Sequence, residues 1–211
     1  MLAAMSCGRS YSGFSRQELA VLESADSIMR VLTIEDSADL MTLRAVSRDF
    51  SAEALLSEDF ARLAELMVAT VTHPSQDGVG IAGPQVGLNR RVVAVQRFDK
   101  EGEPFEVYPN IRIVCLSDST AYGAEGCLSV PDMRADVLRS TEMVVEYADL
   151  QQLRENRMRH QPHANISKSL DNNNLTDSGI PIVRDTVSGF TAVIFQHEID
   201  HLEGILYIDR L

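Results

Sequence analysis

The chain is 211 residues long, with 45% hydrophobic and 24% charged residues and a formal net charge of −12. That length suits one domain burying roughly 70% of the surface its unfolded chain exposes, and the composition is ordinary for a globular protein. The negative balance argues against a direct nucleic-acid site, which needs clustered Lys and Arg, and no apolar run approaches the roughly 20 residues of a transmembrane helix.

Three cysteines, Cys7, Cys115 and Cys127, are too few and too scattered for a disulfide framework. A reducing, cytoplasmic setting is expected, which leaves each thiol for packing or metal. The opening "MLAAMSCGRS" has small residues running up to Cys7, like the tail of a lipoprotein signal. Its apolar part is shorter than the roughly 7–15 residues of a signal core and lacks a basic leader. Export as a lipoprotein through Cys7 is the alternative, and it requires a start upstream of Met1.

Residues 1–26 are weakly patterned and are expected to form a leader, mobile or loosely docked, ahead of a domain spanning 27–211. An irregular stretch should follow as far as Ser57. Phe60, Leu63, Met67 and Val71 then mark one face of a helix. Ser57 is its N-cap, and Glu58 and Asp59 suit the positive end of its dipole. The helix should end near His73-Pro74.

A glycine-rich stretch, "GVGIAGPQVG", covers 78–87, and "RRVVAVQRF" and "PFEVYPN" flank the turn signal "DKEG" as a hairpin. "NIRIVCLS" and "TEMVVEYADL" are further strands. Hairpins without repeated strand–helix units predict an α+β fold. Residues 150–188 read as a polar surface insertion, with a short strand at "IPIVRD". Within it, Asn165 and Asn174 begin short glycosylation sequons of a kind common by chance. The last helix should run from Gly189 to His201 or Leu202, stopped by Gly204.

That helix carries the chemistry. Phe190, Val193, Ile194, His197 and His201 share a face, so its apolar stripe continues into two imidazoles one turn apart. His-Glu-x-x-His can bring both to one metal ion, with Glu198 placed to take a proton from water. Two histidines at this spacing can also simply pack or face solvent. A catalytic ion usually takes three protein ligands, yet only ten residues follow His201. Where the HExxHxxGxxH zinc proteases have their final His, this chain has Tyr207, whose phenol, with a pKa near about 10, is a poor substitute. The third ligand must therefore lie upstream. Cys127 in "EGCLSVP" would by itself read as a small buried hydrophobe. Beside a two-histidine helix lacking a ligand it reads as the third donor, a set that suits iron or zinc.

"GVGIAGPQ", "EGCLS" and "QHEIDH", in that order, resemble the three signature motifs of the peptide deformylases. The resemblance covers about 27–149 and 189–210. It implies antiparallel sheets packed around a central C-terminal helix carrying HExxH, with an additional N-terminal helix. It implies a hydrolase that removes the formyl group from N-terminal formyl-methionine of new polypeptides. One divalent ion, Fe2+ first and Zn2+ second, would be held by Cys127, His197 and His201. Glu198 would act as general base and then general acid, and Gln85 with the backbone N–H of Leu128 would steady the oxyanion. Val79, Gly80 and Gly126 would pair the substrate backbone, while Val79, Phe190, Val193 and Ile194 would line the methionine pocket. Arg134 would lie beside later substrate residues. For the four pocket residues ordinary core packing is the alternative, and for Arg134 a surface salt bridge.

The chain departs from the family pattern in three places. Gly83-Pro84 stands where many relatives have Ala and a variable residue, the 150–188 segment is longer than the usual hairpin, and no longer C-terminal helix follows Leu211. In many bacterial relatives that helix is associated with docking near the ribosomal exit tunnel, so its absence puts that docking, not the chemistry, in doubt, and transient ribosome contact is the expectation. A metalloprotease-like peptidase and a non-enzymatic metal-binding paralogue are the competing readings. The first is disfavoured by the missing downstream ligand. The second is disfavoured by Glu198 and Gln85, which binding alone does not need.

Overall fold

The computed structural model describes residues 13–159, 175–176 and 178–211. Cys7, Asn165 and Asn174 lie outside them. Short helices come first, each started by a side-chain cap. Ser15 and Glu18 form a reciprocal capping box for α1 (Arg16–Ser24). Of the expected leader, residues 13–26 are described, and they contain this helix with Phe14 and Leu22 buried in the core. Phe14 packs 5.5 Å from Phe50, ring centre to ring centre. The stretch expected to be irregular instead holds α2 (Ser37–Leu43), capped by Asp36, and α3 (Ala52–Leu55), capped by Ser51. Both are too short to show a period, so local capping was the only signal they could give.

The amphipathic helix α4 (Glu58–Val71) forms as expected, with Ser57 accepting from the Phe60 N–H. Phe60, Leu63, Leu66, Met67 and Val71 face the core, and the helix stops just short of His73. β1 (Gly80–Ala82), β2 (Val92–Gln96) and β3 (Phe105–Pro109) make an antiparallel sheet in which Ile81 faces Ala94 and Ala94 faces Val107. β4 (Arg112–Leu116), β7 (Glu142–Ala148) and β8 (Ile182–Ser188) make a second, in the order β4-β7-β8. β5 (Thr120–Cys127) and β6 (Val130–Ser140) form a long hairpin closed by Leu128 and Ser129.

The segment read as a polar insertion contributes to this framework at both ends. It opens with α5 (Leu150–Arg159), whose Leu153 is buried, and closes with β8, paired along its length with β7. Residues 160–174 and 177 lie outside the description.

The central element is α6 (Gly189–Leu202), which packs against β1, β2, β6, β7 and β8. Because strands surround it, its burial is not confined to one stripe: Thr191, Ala192 and every residue from Ile194 to Leu202 are buried. Such a helix can present polar groups to a dry interior only if each is partnered or functional. Beyond it, Leu206 and Tyr207 tuck under the β5–β6 hairpin. Tyr207 donates to the Met133 carbonyl at 2.9 Å and stacks on His197, with ring centres 5.9 Å apart. The residue in the protease ligand position is thus a packing partner of an imidazole.

Candidate metal centre and substrate cleft

Three chain segments converge at the middle of α6. The helix brings His197 and His201 one turn apart, with ring centres 5.0 Å from each other. The tip of the β5–β6 hairpin brings Cys127, whose Sγ lies 3.2 Å from His201 Nε2. Donor atoms of Cys127, His197 and His201 all fall within 4.8 Å of one another, and among the described residues this is the one such cluster identified.

An outer contact orients one of the imidazoles, while His201 Nδ1 is buried without a hydrogen-bond partner in the protein. His197 Nδ1 lies 2.8 Å from Glu125 Oε2. A carboxylate only accepts, so Nδ1 carries the hydrogen and Nε2 is left for a ligand. Glu125 is in turn held by Arg139 through two hydrogen bonds of 2.7 and 3.0 Å. Arg139 also reaches Asp200 at 2.6 Å, and Arg210 closes the chain on that same carboxylate. Glu125, Arg139 and Asp200 were not singled out in the sequence. Glu125 and Asp200 sat inside quoted motifs, whereas nothing local marked Arg139, twelve residues beyond Cys127 on β6.

Burial sets the proton affinities. It acts against ionisation of Glu125, but the His197 and Arg139 bonds outweigh it and bring its pKa to about 2. Burial likewise opposes charge on His197, yet hydrogen bonds to Cys127 and Glu125 raise it to about 10. His201 is pushed well below its ordinary value by burial and the neighbouring His197 charge. With protein groups alone, one imidazole is therefore cationic and one neutral. Glu198 is raised to about 7 by desolvation. Its Oε2 is buried without a hydrogen-bond partner in the protein, and Gly80 packs against Oε1.

A thiol and two imidazoles with convergent donor atoms, one imidazole braced by a carboxylate, fit a divalent transition metal such as zinc or ferrous iron. Gln85 completes the polar floor. Its Oε1 accepts from the Ala82 N–H at 2.8 Å, which turns Nε2 toward Cys127 Sγ at 3.5 Å and Ser129 Oγ at 3.2 Å. The segment before α2 fastens both loops: Leu32 N–H donates to the Gln85 carbonyl and Ile34 N–H to the Ser129 carbonyl.

A cleft of about 760 Å³ opens over these groups. Gln85, Cys127, His197 and Glu198 contribute polar groups to its lining, and Val79, Leu128, Phe190, Val193 and Ile194 apolar ones. Gly80, Gly126 and Arg134 also line it, with Gly126 opposite Arg134 in the β5–β6 register. Of the residues singled out in the sequence, His201 alone is not among those lining the cleft; it is 1% exposed and sits behind Cys127. The departure at Gly83 has a local cause, because a Cβ there would come within 2.5 Å of the Arg90 carbonyl.

The family model for polypeptide deformylase matches residues 28–166 and 176–211. The chain belongs to that family. Its members are hydrolases that remove the N-formyl group from nascent peptides. A peptide deformylase of Leptospira biflexa is 32% identical over 176 residues, 80% of this chain and 82% of its own length. Peptide deformylase 2 of Vibrio cholerae is 32% identical over 88% of this chain and 87% of its own. Among solved structures, the Met-Ala-Ser-bound class I type b peptide deformylase of Acinetobacter baumannii superposes with a TM-score of 0.64 at 30% identity, covering 87% of this chain and 98% of that one. The deformylase family thus accounts for the α+β architecture around α6 and for a metal-dependent enzyme. It also takes in much of the 150–188 segment.

Proposed function

We propose that this chain hydrolyses the formyl amide of N-formylmethionyl peptides in the cleft, with a divalent ion held by Cys127, His197 and His201. The observation that carries the residue assignment is the convergence of those three donors beside the buried, unpartnered carboxylate oxygen of Glu198. When bound, the ion supplies Lewis acidity, making water acidic enough to give up a proton near neutral pH and polarising the formyl carbonyl. Ferrous iron is the first choice of metal and zinc the second.

Glu198, with a pKa near 7, is poised to take the proton of the attacking water and return it to the departing amine. The carbonyl C–N bond breaks, giving formate and a free N-terminal methionine. Gln85 Nε2, fixed by the Ala82 N–H, and the Leu128 N–H donate to the oxyanion in the transition state, a role often worth about 2.7–4 kcal/mol. Val79, Gly80 and Gly126 offer backbone to an extended peptide. Val79, Phe190, Val193 and Ile194 receive the methionine side chain, and Arg134 stands beside later residues. Met-Ala-Ser bound to the Acinetobacter relative supports a peptide of this kind as the occupant.

We infer a cytoplasmic enzyme that acts on nascent chains, with transient ribosome contact. No described helix is long and apolar enough to cross a membrane.

The test is formate release from a short formyl-Met peptide by protein prepared anaerobically with ferrous iron, alongside Glu198→Ala. Wild type should turn over, and the variant should lose activity while keeping its metal. Folded, metal-loaded wild type that releases no formate would overturn the proposal.

A further inference from the structure

Phe190 walls the apolar side of the cleft from the first turn of α6 and is 53% exposed. A side chain that open has several rotamers within reach, and a wall that moves discriminates poorly between side chains of similar size. A second ring restrains it. Phe98 lies 5.2 Å away, centre to centre, with the ring planes at 50°. It sits just past the end of β2, partly buried against the same apolar cluster as Val79.

The segments carrying the two rings are tied together. Arg97, 2% exposed, grips Asp99 through hydrogen bonds of 2.8 and 2.6 Å and reaches Tyr108 at 2.7 Å and Asp185 at 2.8 Å. The Thr191 side chain, next after Phe190, helps Arg97 hold the Asp99 carboxyl below its ordinary range. The β2–β3 turn, β3 and β8 are thereby joined through Arg97, immediately before Phe98 in the chain.

We propose that Phe98 is a positioning residue for the methionine pocket, fixing the Phe190 ring and so setting which side chains the pocket accepts. This rests on the function proposed above. Were the contact only packing, its loss would lower stability and leave selectivity alone.

The test compares wild type, Phe98→Ala and Phe98→Tyr, each loaded with ferrous iron. Formyl-Met, formyl-norleucine and formyl-Phe versions of one tripeptide serve as substrates, and Met-Ala-Ser serves as a binding probe by calorimetry. In Phe98→Ala the KM for formyl-Met should rise and Met-Ala-Ser binding weaken, each about two- to tenfold, the range expected for losing one aromatic pair. kcat should stay within about twofold, and the preference for formyl-Met over formyl-Phe should shrink. Phe98→Tyr, which keeps the ring, should restore both. An unchanged preference in folded Phe98→Ala overturns the proposal, as does a fall in kcat alone. Wild type inactive on all three peptides would sink the parent reading, and tripeptide affinity would then decide the role of Phe98 by itself.

Discussion

Glu125 Oε2 lies 2.8 Å from His197 Nδ1, and this contact links the metal centre to the ionic chain of Arg139, Asp200 and Arg210. It fixes both the rotation and the tautomer of a proposed ligand. Removing a carboxylate in this position usually costs about 10–100-fold in metal affinity or activity. Glu125→Gln should therefore bind the ion about that much more weakly while leaving Cys127 and His201 in place. Competition with a chelator of known affinity measures this, and unaltered affinity would show that His197 needs no brace.

How much of this centre could be read from the sequence differs by residue. The α6 histidines were legible because a helix places i and i+4 on one face whatever surrounds it. Cys127 was legible once a third donor was needed. The brace was not, because Arg139 stands opposite Ala121 and Glu125 opposite Ala135, and the two side chains meet only once the β5–β6 hairpin has paired. The fold divides the same way. α4 and α6 carry long periods, whereas α2 and α3 are too short to show one and depend on single capping residues. Arg97 gave no signal at all. An arginine reads as surface until the carboxylates that bury it are brought together from the β2–β3 turn and β8.

The buried acid and imidazole give the metal-free protein an unusual pH response. Glu198 is raised to about 7, so its contribution to stability is complete below about 4.5 and is lost as pH climbs through 7. His197 is raised to about 10, so its share is complete below about 6.5 and is lost as pH climbs through 10. Both act in the same direction. In a chelator the urea midpoint should fall between pH 5 and pH 10, and Glu198→Gln should flatten the lower part of that fall. Metal binding should tighten with rising pH, since the ligands must be deprotonated. A chelated midpoint that rises over this window would contradict these assignments.

Arg97 anchors the β2–β3 turn from within the core. Truncating one partner of a buried ion pair typically costs about 3–5 kcal/mol. The lower end is expected for Arg97→Ala, because the side chains of Asp99 and Asp185 keep 26% and 28% of their surface in solvent. Asp99 is lowered to about 2, chiefly by its hydrogen bond with Arg97, so this part of the stability is present above about 3.8 and fades as pH falls through 2. The gap between wild type and variant in denaturant unfolding should thus be wide at neutral pH and narrow in acid. A gap that ignores pH would mean that packing around Arg97, not its charge, accounts for the loss.

Gly80 offers the sharpest separation of catalysis from metal binding. A Cβ on this residue would sit 2.5 Å from Glu198 Oε1 and 2.9 Å from its Cγ and Cδ. Contacts that close cannot persist, so either β1 or the carboxylate must move. β1 is held by its pairing with β2 and by the Gln96 N–H bond to the Val79 carbonyl, 2.9 Å long. The carboxylate, with one oxygen unpartnered, is the freer of the two. In Gly80→Ala the proton carrier should be displaced while Cys127, His197 and His201 keep their places. General acid–base groups commonly contribute about 10²–10⁴-fold, so kcat should fall by a factor approaching that range. Metal content should stay at one ion per chain, and KM should change less than kcat. Full activity in this variant would mean that Glu198 does not act from the position it occupies here, and would send the search for the base elsewhere in the cleft.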